Sequence, residues 1–176
     1  MATPSLFQEI RHPNSEYIIV PCHSSEKRRY IPIGFVTNDI IVNNAVLIIP
    51  KATLYHFGII TSNVHMAWVR AVCGRLKSDY RYSKDIVYNN FPWPDATDEQ
   101  KANIEKLAQA VLDARALFPD SSLADLYDPL TMPPELLKAH RALDAVVMKL
   151  YGFSVKDTTE ASCVAALMER YQKIAK

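Results

Sequence analysis

Phe91-Pro92-Trp93-Pro94 is the stretch that most constrains how this chain can fold. The two prolines hold Phe91 and Trp93 in extended geometry and remove two backbone donors, so neither a helix nor an interior strand can run through them. Just beyond, Thr97-Asp98-Glu99-Gln100 reads as a capping box, with Thr97 as N-cap and Gln100 at the third helical position. A rigid stop followed at once by a helix start divides the 176 residues at about position 96. A chain of this length can build one substantial core or two small ones.

The two sides of the stop differ in hydrophobic period. Before it, Tyr17–Pro21, Tyr30–Val36, Ile40–Val42 and Ala45–Pro50 are short β-branched or aromatic runs separated by turn-forming Asn, Asp and charged residues. Asn38-Asp39 and Asn43-Asn44 are plausible turn pairs, and prolines at 21, 32 and 50 suggest strand ends, edges or bulges. Thr61 or Ser62 can cap a helix running to about Gly74, on which Val64, Trp68 and Val72 recur every four residues and Trp68 is expected in the core. Ile86-Val87-Tyr88 reads as one more strand. Together these predict four to six strands with one buried helix.

After the stop the pattern is helical. Ile104, Leu107, Ala108, Val111 and Leu112 share one face of the helix opened by Thr97, which is expected to end near Pro119. A second helix starts at Pro133-Pro134 and stops at Gly152, and a third runs from about Thr159 with Val164, Leu167, Met168 and Tyr171 on one stripe. The fold class is therefore α+β: a small, mostly antiparallel sheet with a packed helix over residues 1–96, then a three-helix domain over residues 97–176, with 120–132 as its long connection. Phe91 and Trp93 are expected to pack where the two meet.

Net charge is +1 and predicts no partner, but its distribution does. Residues 1–97 carry ten Lys and Arg against seven Asp and Glu, whereas residues 98–176 carry ten against twelve. Within the first half, Arg70, Arg75, Lys77, Arg81 and Lys84 face the single acid Asp79 across residues 70–84. Tyr80 and Tyr82 alternate with these cations, and Asn89 and Asn90 offer paired donors and acceptors of the kind that read base edges. A second cluster, Lys27-Arg28-Arg29, follows Ser24-Ser25 and precedes Tyr30. Two basic elements in one unit form an electrostatic footprint for a polyanion, with Ser hydroxyls and Arg guanidinium groups suited to phosphate oxygens. The competing reading is a solvated loop and a hairpin turn that merely flank a tyrosine-containing sheet.

Other chemistries find less support. Cys22, Cys73 and Cys163 are odd in number, widely spaced and without a C-x-x-C pair, which favours free thiols in a reducing cytoplasm over a disulfide framework or a zinc site. The longest apolar run, Ile40 to Pro50, is interrupted by Asn43 and Asn44 and is too short to span a bilayer, so no membrane partner is expected. Only four glycines occur, with no G-x-G-x-x-G or Walker loop to cradle a nucleotide or cofactor. His23, His56, His65 and His140 read as surface or half-buried residues without a ligating or catalytic partner.

Several strings in a fixed order carry a more specific signal: Ser24 to Phe35, Ala52 to Ser62, Trp68, Lys77-Ser78-Asp79-Tyr80-Arg81-Tyr82-Ser83, and Tyr88-Asn89-Asn90-Phe91-Pro92-Trp93-Pro94. In this order they resemble the target recognition domain of MmeI-like DNA methyltransferases, with residues 97–176 resembling the helical C-terminal domain that follows it. The resemblance implies a parent polypeptide that transfers a methyl group from S-adenosylmethionine to adenine N6 within a specific site of double-stranded DNA, in some relatives fused to an endonuclease. It also implies a partner, the methyltransferase domain of that parent. This chain has neither an Asn-Pro-Pro-Tyr nor an Asp-Pro-Pro-Tyr tetrapeptide and no glycine-rich cofactor turn. It is therefore expected to recognise DNA without modifying it, to hold no cofactor of its own, and to begin at Met1 as a fragment of the parent.

On this resemblance Lys27, Arg28, Arg29, Arg75, Lys77 and Arg81 would neutralise phosphates, and Tyr80, Tyr82, Ser83 and Asn89 would approach the groove. Asp79 and Arg81 have the spacing of an acid and base that can discriminate a base pair, Asp accepting from cytosine N4 and Arg donating to guanine O6 and N7. The alternative is a structural or protein-docking module of a larger enzyme that does not read DNA itself.

Overall fold

The computed structural model describes residues 13–175. Its strands are β1 (Tyr17–Pro21), β2 (His23–Ser24), β3 (Gly34–Val36), β4 (Val46–Pro50), β5 (Gly74–Leu76) and β6 (Asp79–Arg81). Its helices are α1 (Leu54–Ile60), α2 (Asn63–Val72), α3 (Asp98–Ala116), α4 (Leu123–Leu126), α5 (Pro134–Leu150) and α6 (Glu160–Ile174), with a π-helical turn at Lys84–Tyr88. The mixed α+β class holds, but the expected single sheet is two antiparallel three-stranded sheets, ordered β3-β1-β4 and β2-β6-β5.

In the first sheet Ile18 lies between Phe35 and Ile49, and Ile18 and Val20 bury their side chains completely. The expected strand at Tyr30–Val36 is regular only over its last three residues. Ile40–Val42 forms no strand: Ile40 and Ile41 are 44% and 66% exposed in the loop between β3 and β4. An apolar run without a neighbouring strand to complete its ladder has no reason to extend.

Two further expectations change. Residues 54–60, in the half where one buried helix from Thr61 or Ser62 is expected, form an additional helix, α1. Thr53 caps it, and His56 stands where a Glu or Gln would complete the capping box, its Nδ1 accepting the Thr53 N–H at 3.1 Å. Ile86-Val87-Tyr88 is π-helical rather than extended. The Ser83 hydroxyl caps that turn by accepting the Ile86 N–H, the Val87 carbonyl accepts the Trp68 indole N–H at 3.0 Å, and the Asp85 carbonyl accepts from the Asn90 side chain at 2.9 Å. Side chains have thus taken carbonyls that a strand would offer to a neighbour.

The helical half forms as its sequence dictates. Thr97 and Gln100 make the reciprocal capping box, Pro134 sits in the first turn of α5, Gly152 ends it with φ +78°, and Thr159 caps α6. Only the one-turn α4, inside the 120–132 connection, is added. The two halves share one contiguous core, in which Ile59, Ile60 and Trp68 belong to the same cluster as Ile104, Leu143 and Leu167. Gly58 lets α1 approach α3 closely, since a Cβ there would stand 2.6 Å from Ile104 Cγ2.

Candidate nucleic-acid interface

The second sheet assembles the two basic clusters. Central β6 pairs with β2 through His23↔Arg81 and Ser24↔Tyr80, and with β5 through Gly74↔Arg81, Arg75↔Tyr80 and Leu76↔Asp79. A two-residue loop, Lys77-Ser78, closes the β5–β6 hairpin. Lys77 takes φ +56°, the left-handed conformation that the first position of a tight hairpin loop of the primed type requires. At the same end of the sheet the chain leaves β2 into the Ser25–Arg28 turn, closed by the Arg28 N–H donating to the Ser25 carbonyl at 3.2 Å. The Glu26 N–H donates to Asp79 Oδ1 at 3.3 Å, and the Glu26 carboxylate lies 3.9 Å from Arg75 Nη1, so turn and hairpin are tied together.

The cations differ in how they are held. Lys27, Lys77 and Arg81 are exposed, with no side-chain hydrogen bond or ion pair to another described residue. Arg75 is exposed but engaged: it donates to the Ser78 carbonyl at 2.9 Å and lies 4.2 Å above the Tyr80 ring. Half-buried Arg28 reaches across to the Ala124 carbonyl of α4 at 3.4 Å. Arg29 is exposed and attached through its Nε–H, which donates to the Tyr30 hydroxyl at 3.2 Å.

Three of the expected groove residues are engaged elsewhere, Tyr80 and Tyr82 in the core and Ser83 as a cap. Tyr80 and Tyr82 do not face solvent; each is only 3% exposed. Tyr80 in β6 and Tyr82 just after its end are both buried in the core, where Tyr82 meets His65 at 2.9 Å and burial pushes the Tyr82 hydroxyl far up from its ordinary pKa. Alternation with cations in sequence reflects the period of two of a half-buried strand, not a mixed surface. Ser83 is engaged as a cap, and Asp79 already accepts the Glu26 N–H. Asn89 remains exposed. With Lys84 and Tyr88 it lines an open groove of about 270 Å³ along Leu47–Pro50 of β4.

The histidines also differ from expectation, because His65 and His140 are fully buried. Burial holds His65 down at about 3, and burial with the charges of Arg115 and Arg29 does the same to His140. His140 Nε2 lies 2.6 Å from the Tyr127 hydroxyl, which also accepts from Arg115, and Arg115 Nη1 donates to the Ile33 carbonyl at 2.8 Å. One helical turn beyond His140, Asp144 accepts the Tyr30 O–H at 2.6 Å and the Asn63 N–H at 2.7 Å. Burial raises the Asp144 carboxyl, while the Tyr30 and Asn63 hydrogen bonds oppose the rise. The signal for this network in the sequence is the spacing: His140 and Asp144 sit four residues apart on the apolar stripe of Leu136, Leu143 and Val147. Two polar groups there demand buried partners.

Among the described residues no group of His, Cys, Asp and Glu could hold a metal ion, and no helix is long and apolar enough to cross a membrane. Residues 1–95 match the family described as MmeI, target recognition domain, and residues 96–176 match MmeI, C-terminal domain. A curated relative, DNA methyltransferase A of Bacillus subtilis (strain 168), is 40% identical over 172 residues, covering 98% of this chain and 19% of the relative. The solved structure of the Type IIL restriction-modification enzyme MmeI in complex with DNA superposes with a TM-score of 0.89 at 48% identity, covering 94% of this chain and 22% of that one. This chain thus spans about a fifth of the length of these relatives.

Proposed function

We propose, for a chain that belongs to the MmeI family through both its target recognition domain and its C-terminal domain, that it is the DNA-recognising part of a restriction-modification methyltransferase. The observation that carries this reading is the pairing of β2 with β6. It sets the Lys27–Arg29 turn and the Lys77 hairpin at one end of one small sheet. Exposed Lys27, Arg29, Lys77 and Arg81 would meet phosphates, with Arg28 and Arg75 adding charge while anchored to the fold. The hairpin is a two-stranded ribbon, a shape that fits the major groove of duplex DNA.

Within that groove Asp79 and Arg81 are the candidate base readers and Asn89 a polar neighbour; Asp79 keeps acceptor capacity beyond the Glu26 N–H. Residues 1–96 would form the recognition domain and 97–176 the helical domain that braces it. Methyl transfer from S-adenosylmethionine to adenine N6 would belong to the remainder of the parent polypeptide, because this chain offers no glycine-rich turn for the cofactor. The methyltransferase domain is then its partner, gripping the same duplex.

Fluorescence anisotropy of the chain with a pool of random duplexes, titrated with salt, tests the reading beside a triple alanine variant of Arg75, Lys77 and Arg81. Binding that falls steeply with salt and is lost in the variant is expected. Equal binding by the variant would move the interface away from the hairpin.

A further inference from the structure

Arg29 differs from its neighbours in which nitrogen holds it. Arg28 and Arg75 each give a terminal nitrogen to a backbone carbonyl, Ala124 and Ser78 respectively. Arg29 donates from Nε to the Tyr30 hydroxyl at 3.2 Å, with its guanidinium carbon 5.6 Å from the centre of that ring. Its two terminal nitrogens make no hydrogen bond or ion pair with another described residue.

The Tyr30 hydroxyl is itself fixed. Its proton goes to Asp144 Oδ2 at 2.6 Å, which turns the oxygen lone pairs toward Arg29. Asp144 Oδ1 takes the N–H of Asn63, the first residue of α2, at 2.7 Å, so the carboxylate cannot rotate freely. The Tyr30 ring stacks on His140 with centroids 4.1 Å apart and planes inclined by 18°. A helix of the C-terminal half thus fixes a hydroxyl, the hydroxyl fixes Nε, and the open fork of Nη1 and Nη2 is left at the surface. That fork is the arrangement that binds two phosphate oxygens at once.

We propose that Tyr30 and Asp144 are positioning residues for Arg29, presenting its terminal nitrogens as a preset fork for a phosphate of duplex DNA. The inference rests on the DNA-recognition reading. It gives the C-terminal half a share in recognition without any contact of its own to DNA: a guanidinium already held in its bound rotamer has less freedom to lose on binding.

Two measurements on the 176-residue chain test it. The first needs no DNA: hydrogen exchange of the Arg29 Nε–H with water, followed by NMR in wild type, Tyr30→Phe and Asp144→Asn. Slow exchange in wild type that rises toward the rate of Arg81 in both variants is expected; equal rates in wild type and Tyr30→Phe overturn the proposal. The second compares duplex binding of Tyr30→Phe, Arg29→Ala and the double variant, each shown by thermal melting to be folded. Tyr30→Phe is expected to weaken binding by about three- to tenfold when Arg29 is present and not at all when it is absent. Equal weakening in both backgrounds would make Tyr30 merely structural and overturn the positioning role. Wild-type chain that binds no duplex at low salt would instead overturn the DNA reading, and the exchange measurement still decides whether Tyr30 holds Arg29.

Discussion

His65 Nε2 and the Tyr82 hydroxyl lie 2.9 Å apart, with the imidazole fully buried and the phenol nearly so. Burial pushes the hydroxyl up and the imidazole down, so both groups stay neutral and share one hydrogen bond. The contact joins α2 to the residue that directly follows β6, the strand that carries Asp79 and Arg81.

Acid is therefore expected to unfold the chain through its histidines. His65 and His140 fall to about 3 in the folded state, below their ordinary value of 6.5. Between these values the unfolded chain binds protons that the folded chain refuses, so stability declines as pH falls from about 6.5 toward 3. Each histidine contributes a slope of up to about 1.4 kcal/mol per pH unit. The raised carboxyl of Asp144 has the opposite sign, because there the folded chain binds a proton that the unfolded chain has released. Urea denaturation from pH 7 to 4 should show a steep loss of stability that is shallower in His65→Gln. An unchanged slope in that variant would mean that His65 does not carry the effect.

Gly58→Ala should destabilise the fold by about 1–3 kcal/mol, because the added methyl would meet Ile104 Cγ2 at 2.6 Å where α1 crosses α3. In an Ile104→Leu background, which removes the methyl branched at Cβ, the cost should shrink. Chemical denaturation of the four proteins of this cycle checks it, and strict additivity would place the strain elsewhere.

Lys77→Asn separates charge from conformation at the hairpin tip. Asparagine tolerates the positive φ of this position, so melting temperature should hold, while the slope of log affinity for duplex DNA against log salt should fall by about 0.9. A slope identical to wild type would show that Lys77 neutralises no phosphate.

Thr97→Ala removes the hydroxyl that accepts the Gln100 N–H at 3.2 Å and leaves the first turn of α3 uncapped. A loss of about 1 kcal/mol in denaturant unfolding is expected, with duplex affinity unchanged because the cap lies outside the basic sheet.

The parts legible in the sequence were those set by short-range chemistry. Thr97 with Gln100, Pro134 and Gly152 fixed the helical half because caps and helix ends depend on residues within one turn of each other. The order of motifs around Lys77–Ser83 and Phe91–Pro94 pointed to the family, and the two basic clusters could be read as charge. The errors fell where an unexpected residue type, near or far in the sequence, supplies the partner. His56 completes the cap of α1 in place of a carboxamide, and the Trp68 indole and Asn90 amide take carbonyls that would otherwise have served a strand at Ile86–Tyr88.

By itself, then, the sequence determined the α+β class, the helix start at Thr97 and a pattern of two basic clusters. Which residues carry that pattern to the surface was decided only by tertiary structure. Pairing of β2 with β6 brings together clusters some fifty residues apart, turns Tyr80 and Tyr82 inward and leaves Arg81 outside. Long-range contacts likewise place Tyr30 against Asp144 across 114 positions. The reason is physical: local sequence sets the conformations open to a segment, but a buried hydroxyl, carboxylate or imidazole takes its role from whichever group the fold brings within hydrogen-bonding reach.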